Sequence, residues 1–174
     1  MHLVDQFERA AVAAAATVER LPRAPQEIAR AVLRASQGAR RIAVAEPQDL
    51  PAELFEACRR LPGVFTGRTK SELSSADVGI TEAFAGVART GSVCVTVDHD
   101  TAGLVSLLSR MHIAVVAAED IVERPADLFR PDCLGGKGLK RNFVFVTGPS
   151  ATADMGPLVL GVHGPHRLHV LILE

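Results

Sequence analysis

Apolar residues recur at helical spacing from Val4 to Leu21: Val4, Phe7, Ala11, Ala14, Val18 and Leu21. That pattern predicts an Ala-rich amphipathic helix, stopped by Pro22. Pro25 suits the first turn of a second helix with Ile28, Ala31 and Val32 on one face, and Gly38 ends it. Residues 1–38 thus read as an N-terminal helical arm. Its simplest role is to cover a sheet; docking a partner is the other.

Past Gly38 the period changes. Arg41-Ile42-Ala43-Val44-Ala45 reads as a short apolar strand, and Pro51 to Leu61 as a helix. The chain then repeats one rhythm of a β-branched run, a small-residue turn and a helical piece. Strands are predicted at Val78–Ile80, Val93–Val97, Ile113–Ala117, Phe143–Thr147, Leu158–Gly161 and Leu168–Leu173. Several are apolar on successive residues rather than alternating, as strands buried on both faces are. The expected fold class is α/β, with a mainly parallel central sheet and helices on both faces. One domain spans residues 1–174, with its α/β core at 41–174. Pro125 to Arg141 breaks the rhythm and carries the basic, flexible run Cys133-Leu134-Gly135-Gly136-Lys137-Gly138. It reads as a surface connection, or else as a mobile loop near a ligand.

Composition narrows the class. The 174 residues are 48% hydrophobic with no Trp or Tyr and 7 Phe, so the core must be aliphatic. A formal net charge of −1 lacks the basic excess of a nucleic-acid binder. No stretch approaches the roughly 20 apolar residues that span a bilayer, and the start is not that of a signal peptide. A cytoplasmic location is expected. Cys58, Cys94 and Cys133 are odd in number and far apart, which argues against a disulfide framework.

Three turns adjoin predicted strands and hold the candidate chemistry. They are Ala88-Arg89-Thr90-Gly91-Ser92, then Thr147-Gly148-Pro149-Ser150-Ala151-Thr152-Ala153-Asp154, then Gly161-Val162-His163-Gly164-Pro165. Small residues let backbone approach a ligand, and turn N–H groups can converge on an anion. The candidate ligand-binding residues are Thr90, Gly91, Ser92, Gly148, Ser150, Thr152, Asp154, His163 and Gly164, gathered in one pocket at a sheet edge. Loops of open α/β sheets gather ligands at the carboxyl ends of strands. His163 or Arg89 would supply positive charge, while Asp154 would fix the turn or orient His163. The bland alternative is that these are tight turns with good caps.

At these turns the sequence resembles a known family. Val78-Gly79-Ile80-Thr81 leading to Ala88-Arg89-Thr90-Gly91-Ser92-Val93, and His112-Ile113-Ala114-Val115-Val116, are similar to the central signature of LUD-domain proteins. The run from Thr147 to Asp154, then Leu158-Val159-Leu160-Gly161-Val162-His163-Gly164-Pro165 and Leu168 to Leu173, resembles the lactate utilisation protein C (LutC/YkgG) type. The resemblance covers roughly Arg41 to the end. It implies a NagB/RpiA/CoA-transferase-like fold and a part in oxidising L-lactate to pyruvate. In that part the chain would be a subunit or accessory binding a small carboxylate or other anion. Iron–sulfur clusters would reside on partner proteins. Two positions depart from the family pattern: Arg89 precedes Thr-Gly where an acidic residue is common, and Gly156-Pro157 stands where another is.

Other chemistry finds less support. An iron–sulfur cluster needs cysteines at short spacing, which are lacking, so no cofactor is expected in this chain. His163, His166 and His169 suggest a metal ladder. However, a turn and an alternating strand would aim them apart, and no metal site is expected. Gly135-Gly136-Lys137-Gly138 lacks P-loop spacing, and Ser150, His163 and Asp154 lack a nucleophile elbow. Two alternatives stay open. One is an autonomous enzyme of the isomerase or CoA-transferase group, for which Glu82 is the nominated carboxylate; the other is a non-catalytic interaction module.

Overall fold

The computed structural model describes residues 2–153 and 156–174. Its centre is a five-stranded, fully parallel sheet in the order β1 (Thr17–Leu21), β11 (Arg167–Leu173), β6 (Met111–Ala117), β3 (Val78–Glu82) and β2 (Ile42–Val44). Continuous apolar runs such as Ile113-Ala114-Val115-Val116 follow from burial on both faces. Ile113, Val115, Ile80 and Leu171 meet Ile28 and Val32 of α2 (Pro25–Ala35) and Phe55 of α3 (Glu53–Arg59). The alternate residues Ala114, Val116, Val170 and Ile172 meet Val4, Phe7 and Ala11 of α1 (Leu3–Ala13). Strand period and helical stripe are therefore satisfied together. α5 (Ala102–Leu108) shares this second face and approaches β3 closely. A Cβ on Gly79 would lie 2.6 Å from the Val105 carbonyl oxygen. α4 (Lys70–Leu73) is a single turn held by a Thr69–Glu72 capping box. Helices thus cover both faces, as the sequence predicts.

Three expectations are corrected. The first helix does not reach Leu21. It ends at Ala13, the chain turns through Ala15 at φ 65°, and Thr17–Leu21 pairs in parallel with β11. Helical spacing continues through this segment, but β11 has an edge to be paired, and sheet hydrogen bonds outweigh a weak local propensity. Residues 1–38 accordingly contribute an edge strand as well as two helices.

Second, Val93–Val97 and Phe143–Thr147 are strands, but not of the parallel sheet. They belong to a four-stranded sheet ordered β7 (Ile121–Val122), β4 (Ala85–Val87), β5 (Ser92–Thr96) and β8 (Phe143–Val146), in which β5 is antiparallel to both neighbours. This sheet packs Val93 and Ile121 against the central sheet beside α1. Its outer side, including Phe84 and Cys94, is covered by Leu128 and Leu134 of the 3₁₀ segments Pro125–Phe129 and Leu134–Leu139. Double burial makes β5 read like a parallel strand, whereas β8 is apolar although Val144 and Phe145 are exposed.

Third, the strand expected at Leu158–Gly161 is only the two-residue β10 (Val159–Leu160), paired with β9 (Ala151–Thr152) and exposed. Among the described residues no helix is long and apolar enough to cross a membrane.

Candidate functional site

A cavity of about 510 Å³ opens between α5, β8 and the first residues of β6 and β11. Two of the three predicted turns reach it. Gly148 and Ser150 come from the connection after β8, and His163 and Gly164 from the turn before β11. These loops are tied directly: the Ser150 N–H donates to the Pro165 carbonyl at 2.9 Å, and the Gly161 N–H to the Ser150 carbonyl at 2.8 Å. Gly164 lies against Ser150, where an added Cβ would come within 3.1 Å of the Ser150 Cβ. Gly148, at φ 65°, sits on the end of α1; a Cβ there would lie 1.9 Å from the Ala14 carbonyl oxygen.

The third turn goes elsewhere. Thr90, Gly91 and Ser92 close the β4–β5 hairpin and do not line the cavity. Gly91, at φ 67°, seats α1, since a Cβ would fall 2.1 Å from the Ala11 nitrogen. Ser92 is buried, and its hydroxyl lies 2.7 Å from that of Thr90 and 2.7 Å from that of Thr147. Thr147 does line the cavity, so a row of three hydroxyls ties the hairpin turn to the cavity wall. Arg89 is exposed on the hairpin turn, away from the cavity. Thr152 pairs with Val159 in the β9–β10 hairpin. Asp154 lies outside the described residues.

The cavity also lies at the opposite end of the sheet from the one expected. Its wall includes His112 and Leu168, at the amino-terminal ends of β6 and β11. The reason is connectivity: the His163-Gly164-Pro165 turn feeds directly into β11, and so meets the sheet where that strand begins.

At the carboxyl ends stands a closed polar clasp instead. The Glu82 carboxylate accepts the backbone N–H groups of Gln48, Asp49 and Leu50. The Asp49 carboxylate pairs with Arg141 at 2.8 Å and Lys137 at 3.7 Å, and Lys137 reaches Asp120 at 3.8 Å. Burial holds the Asp120 carboxyl above its usual range. Arg141 stacks over Phe84 at 4.6 Å. Glu82, 8% exposed, is thus a loop anchor rather than a carboxylate open to attack a substrate.

One lining residue was not anticipated as a site residue. His112 is fully buried, and its Nε2 lies 2.8 Å from Thr81 Oγ1. Its Nδ1 is buried without a protein partner. Burial pushes the ring's pKa down to about 4, so it is neutral at pH 7. If Nε2–H donated to Thr81, both the hydroxyl hydrogen and the Nδ1 lone pair would be orphaned. With the hydroxyl donating to Nε2, only one group is left over, an Nδ1–H donor. That tautomer is assigned by the hydrogen-bond count. A histidine at the second position of an apolar strand offered no local sign of this.

The histidine ladder disperses. His163 lines the cavity, the His166 ring packs under Gly161, and His169 Nδ1 is bonded to Thr17 Oγ1 at 2.7 Å. Among the described residues no group of three or more His, Cys, Asp or Glu is placed to hold a metal ion. Burial pushes the Cys58 and Cys94 thiols up to about 11 and about 12, far from the thiolate form.

Fold and cavity define an α/β protein with a parallel sheet backed by a smaller second sheet. The LUD domain family matches residues 65–173, and the chain belongs to that family. The cavity's lining, from Val97 to Leu168, falls wholly within the matched stretch. Lactate utilization protein C of Oceanobacillus iheyensis is 33% identical over 103 residues, 57% of this chain and 44% of that protein. The protein of the same name from Bacillus subtilis is 37% identical over 103 residues, covering 57% and 43%. Lactate utilization protein B of Bacillus pumilus is 28% identical over 131 residues, covering 73% and 26%. The matched region thus spans less than half the length of these curated relatives. In fold the chain is similar to a DUF162 family protein from Deinococcus radiodurans, with a TM-score of 0.70 and 23% identity over 99% of this chain and 96% of that one.

Proposed function

We propose that this chain is a ligand-binding LUD domain in lactate utilisation, acting as a non-redox subunit or accessory of an L-lactate oxidising system. Its ligand is a small carboxylate, held in the cavity between α5 and β8. The observation that carries this reading is the pair of polar side chains, Ser150 and His163, that two joined loops bring to one largely apolar cavity. The names of the relatives supply the physiological context. Electron transfer is assigned to iron–sulfur partner proteins. The thiols of Cys58 and Cys94 lie in separate apolar clusters of this chain, where they pack as small hydrophobes.

The same wall disfavours a sugar-phosphate enzyme. Among its described residues none is Arg or Lys, the side chains that most strongly pair with a phosphate dianion. The backbone capture of Glu82 disfavours a carboxylate-dependent CoA transferase. Titration of the protein with lactate and pyruvate tests the proposal. Two or three hydrogen bonds to a charged group, each worth on the order of 1.5–3 kcal/mol, give roughly millimolar affinity. Replacing both Ser150 and His163 by Ala should abolish binding and leave the melting temperature nearly unchanged. A double variant that fails to fold would return both residues to a purely structural role.

A further inference from the structure

The cavity is too large for a three-carbon acid. At a share of roughly 30 Å³ per non-hydrogen atom, about six such atoms fill near 180 Å³, against the 510 Å³ available. The unfilled part is not polar. Leu104 and Leu107 of α5 and Val144 and Phe145 of β8 flank it, and Leu107, Val144 and Phe145 are 53%, 41% and 41% exposed around the mouth. Water against such a wall gains few hydrogen bonds and is poorly ordered, so an apolar ligand group displacing it is favoured. At the other end of the lining stand two polar side chains that are not fully buried, Ser150 and His163, on the two loops joined by the Ser150 N–H to Pro165 carbonyl bond.

We infer that the cavity binds a medium-chain aliphatic monocarboxylate, its carboxylate at Ser150 and His163 and its tail lying between α5 and β8. This rests on the carboxylate reading above and adds the ligand's size and shape. The lining fits a single negative charge and no more. Among the described residues its polar side chains are the hydroxyls of Ser106, Thr147 and Ser150 and two histidines, with no Arg or Lys. A tail of about six to eight carbons occupies the remaining space while leaving room for a few waters.

The test is a homologous series titrated into the full chain at pH 7: lactate, acetate, butyrate, hexanoate, octanoate and octan-1-ol. Each buried methylene should tighten binding about fourfold, so octanoate should bind roughly 250-fold more tightly than butyrate. Leu107→Glu, at a half-exposed position, should keep the melting temperature. It should weaken octanoate by about tenfold or more and leave lactate nearly unaffected. Octanoate binding no more tightly than lactate overturns the inference and leaves the small-carboxylate reading standing. So does an unchanged octanoate affinity in Leu107→Glu. Octan-1-ol matching octanoate removes the carboxylate from the proposal. Failure of every acid, lactate included, to bind at millimolar concentration overturns both readings.

Discussion

Thr81 and His112 sit on adjacent parallel strands, and a 2.8 Å hydrogen bond joins the threonine hydroxyl to the imidazole Nε2 on the cavity side of the sheet. The bond fixes the tautomer and turns the other ring nitrogen into a donor. Thr81→Val keeps the shape and removes the hydroxyl, leaving a second buried nitrogen unpaired. It should cost about 1–3 kcal/mol in denaturant unfolding, and Thr81→Ser should restore most of that loss.

The same buried ring makes stability depend on pH. The folded-state pKa of His112 falls from 6.5 to about 4, so between those values the unfolded chain binds the extra proton. This contribution is complete above pH 6.5 and is lost as pH falls towards 4, amounting to something of order 3 kcal/mol. Burial lowers the His169 pKa as well, so its contribution has the same sign. Unfolding free energies at pH 7, 5.5 and 4.5 should fall in that order. The slope should be shallower in His112→Asn; an equal slope would remove His112 as its source.

Gly91 and Gly38 offer a matched pair. Both have positive φ, 67° and 84°, but a Cβ at Gly91 collides with α1 while one at Gly38 meets nothing within 4 Å. Gly38→Ala should cost only the strain of the left-handed region, about 1–2 kcal/mol. Gly91→Ala must also displace α1 and should cost at least about 3 kcal/mol. Thermal melting of the two variants checks the difference, and equal losses would mean that α1 is not seated on this turn.

Glu82 should behave as an anchor. Glu82→Gln loses the charge that accepts three backbone N–H groups and should destabilise the protein by about 2 kcal/mol. Incubation of the unmodified protein with an acyl-CoA should leave its mass unchanged. A covalent CoA adduct on Glu82 would revive the transferase reading.

Ser92 tests the link between hairpin and cavity. Ser92→Ala removes both hydroxyl contacts and leaves Thr147 without its partner. Loss of about 1–2 kcal/mol is expected, with carboxylate affinity falling only a few-fold, because Thr147 would shift rather than vanish. Complete loss of binding would make the hairpin turn part of the site itself.

The sequence by itself determined the α/β class, the doubly buried strands and the two loops that form the cavity rim. Each is a local signal: continuous β-branched runs, the proline opening α2, and small residues beside His163. The sequence did not separate the parallel strands from those of the second sheet, because burial on both faces gives Val93–Val95 and Ile113–Ala117 the same apolar pattern. Nor did it reveal β1, since Thr17–Leu21 continues a helical period and becomes a strand only when β11 offers it an edge. Tertiary structure alone decided the division of labour among small-residue turns. Gly91 supports a helix while Gly164 borders a cavity, though each reads as a flexible turn residue. It also chose His112. A histidine's role depends on what its two nitrogens meet, and those neighbours, Thr81 and the cavity, lie far from it in the chain.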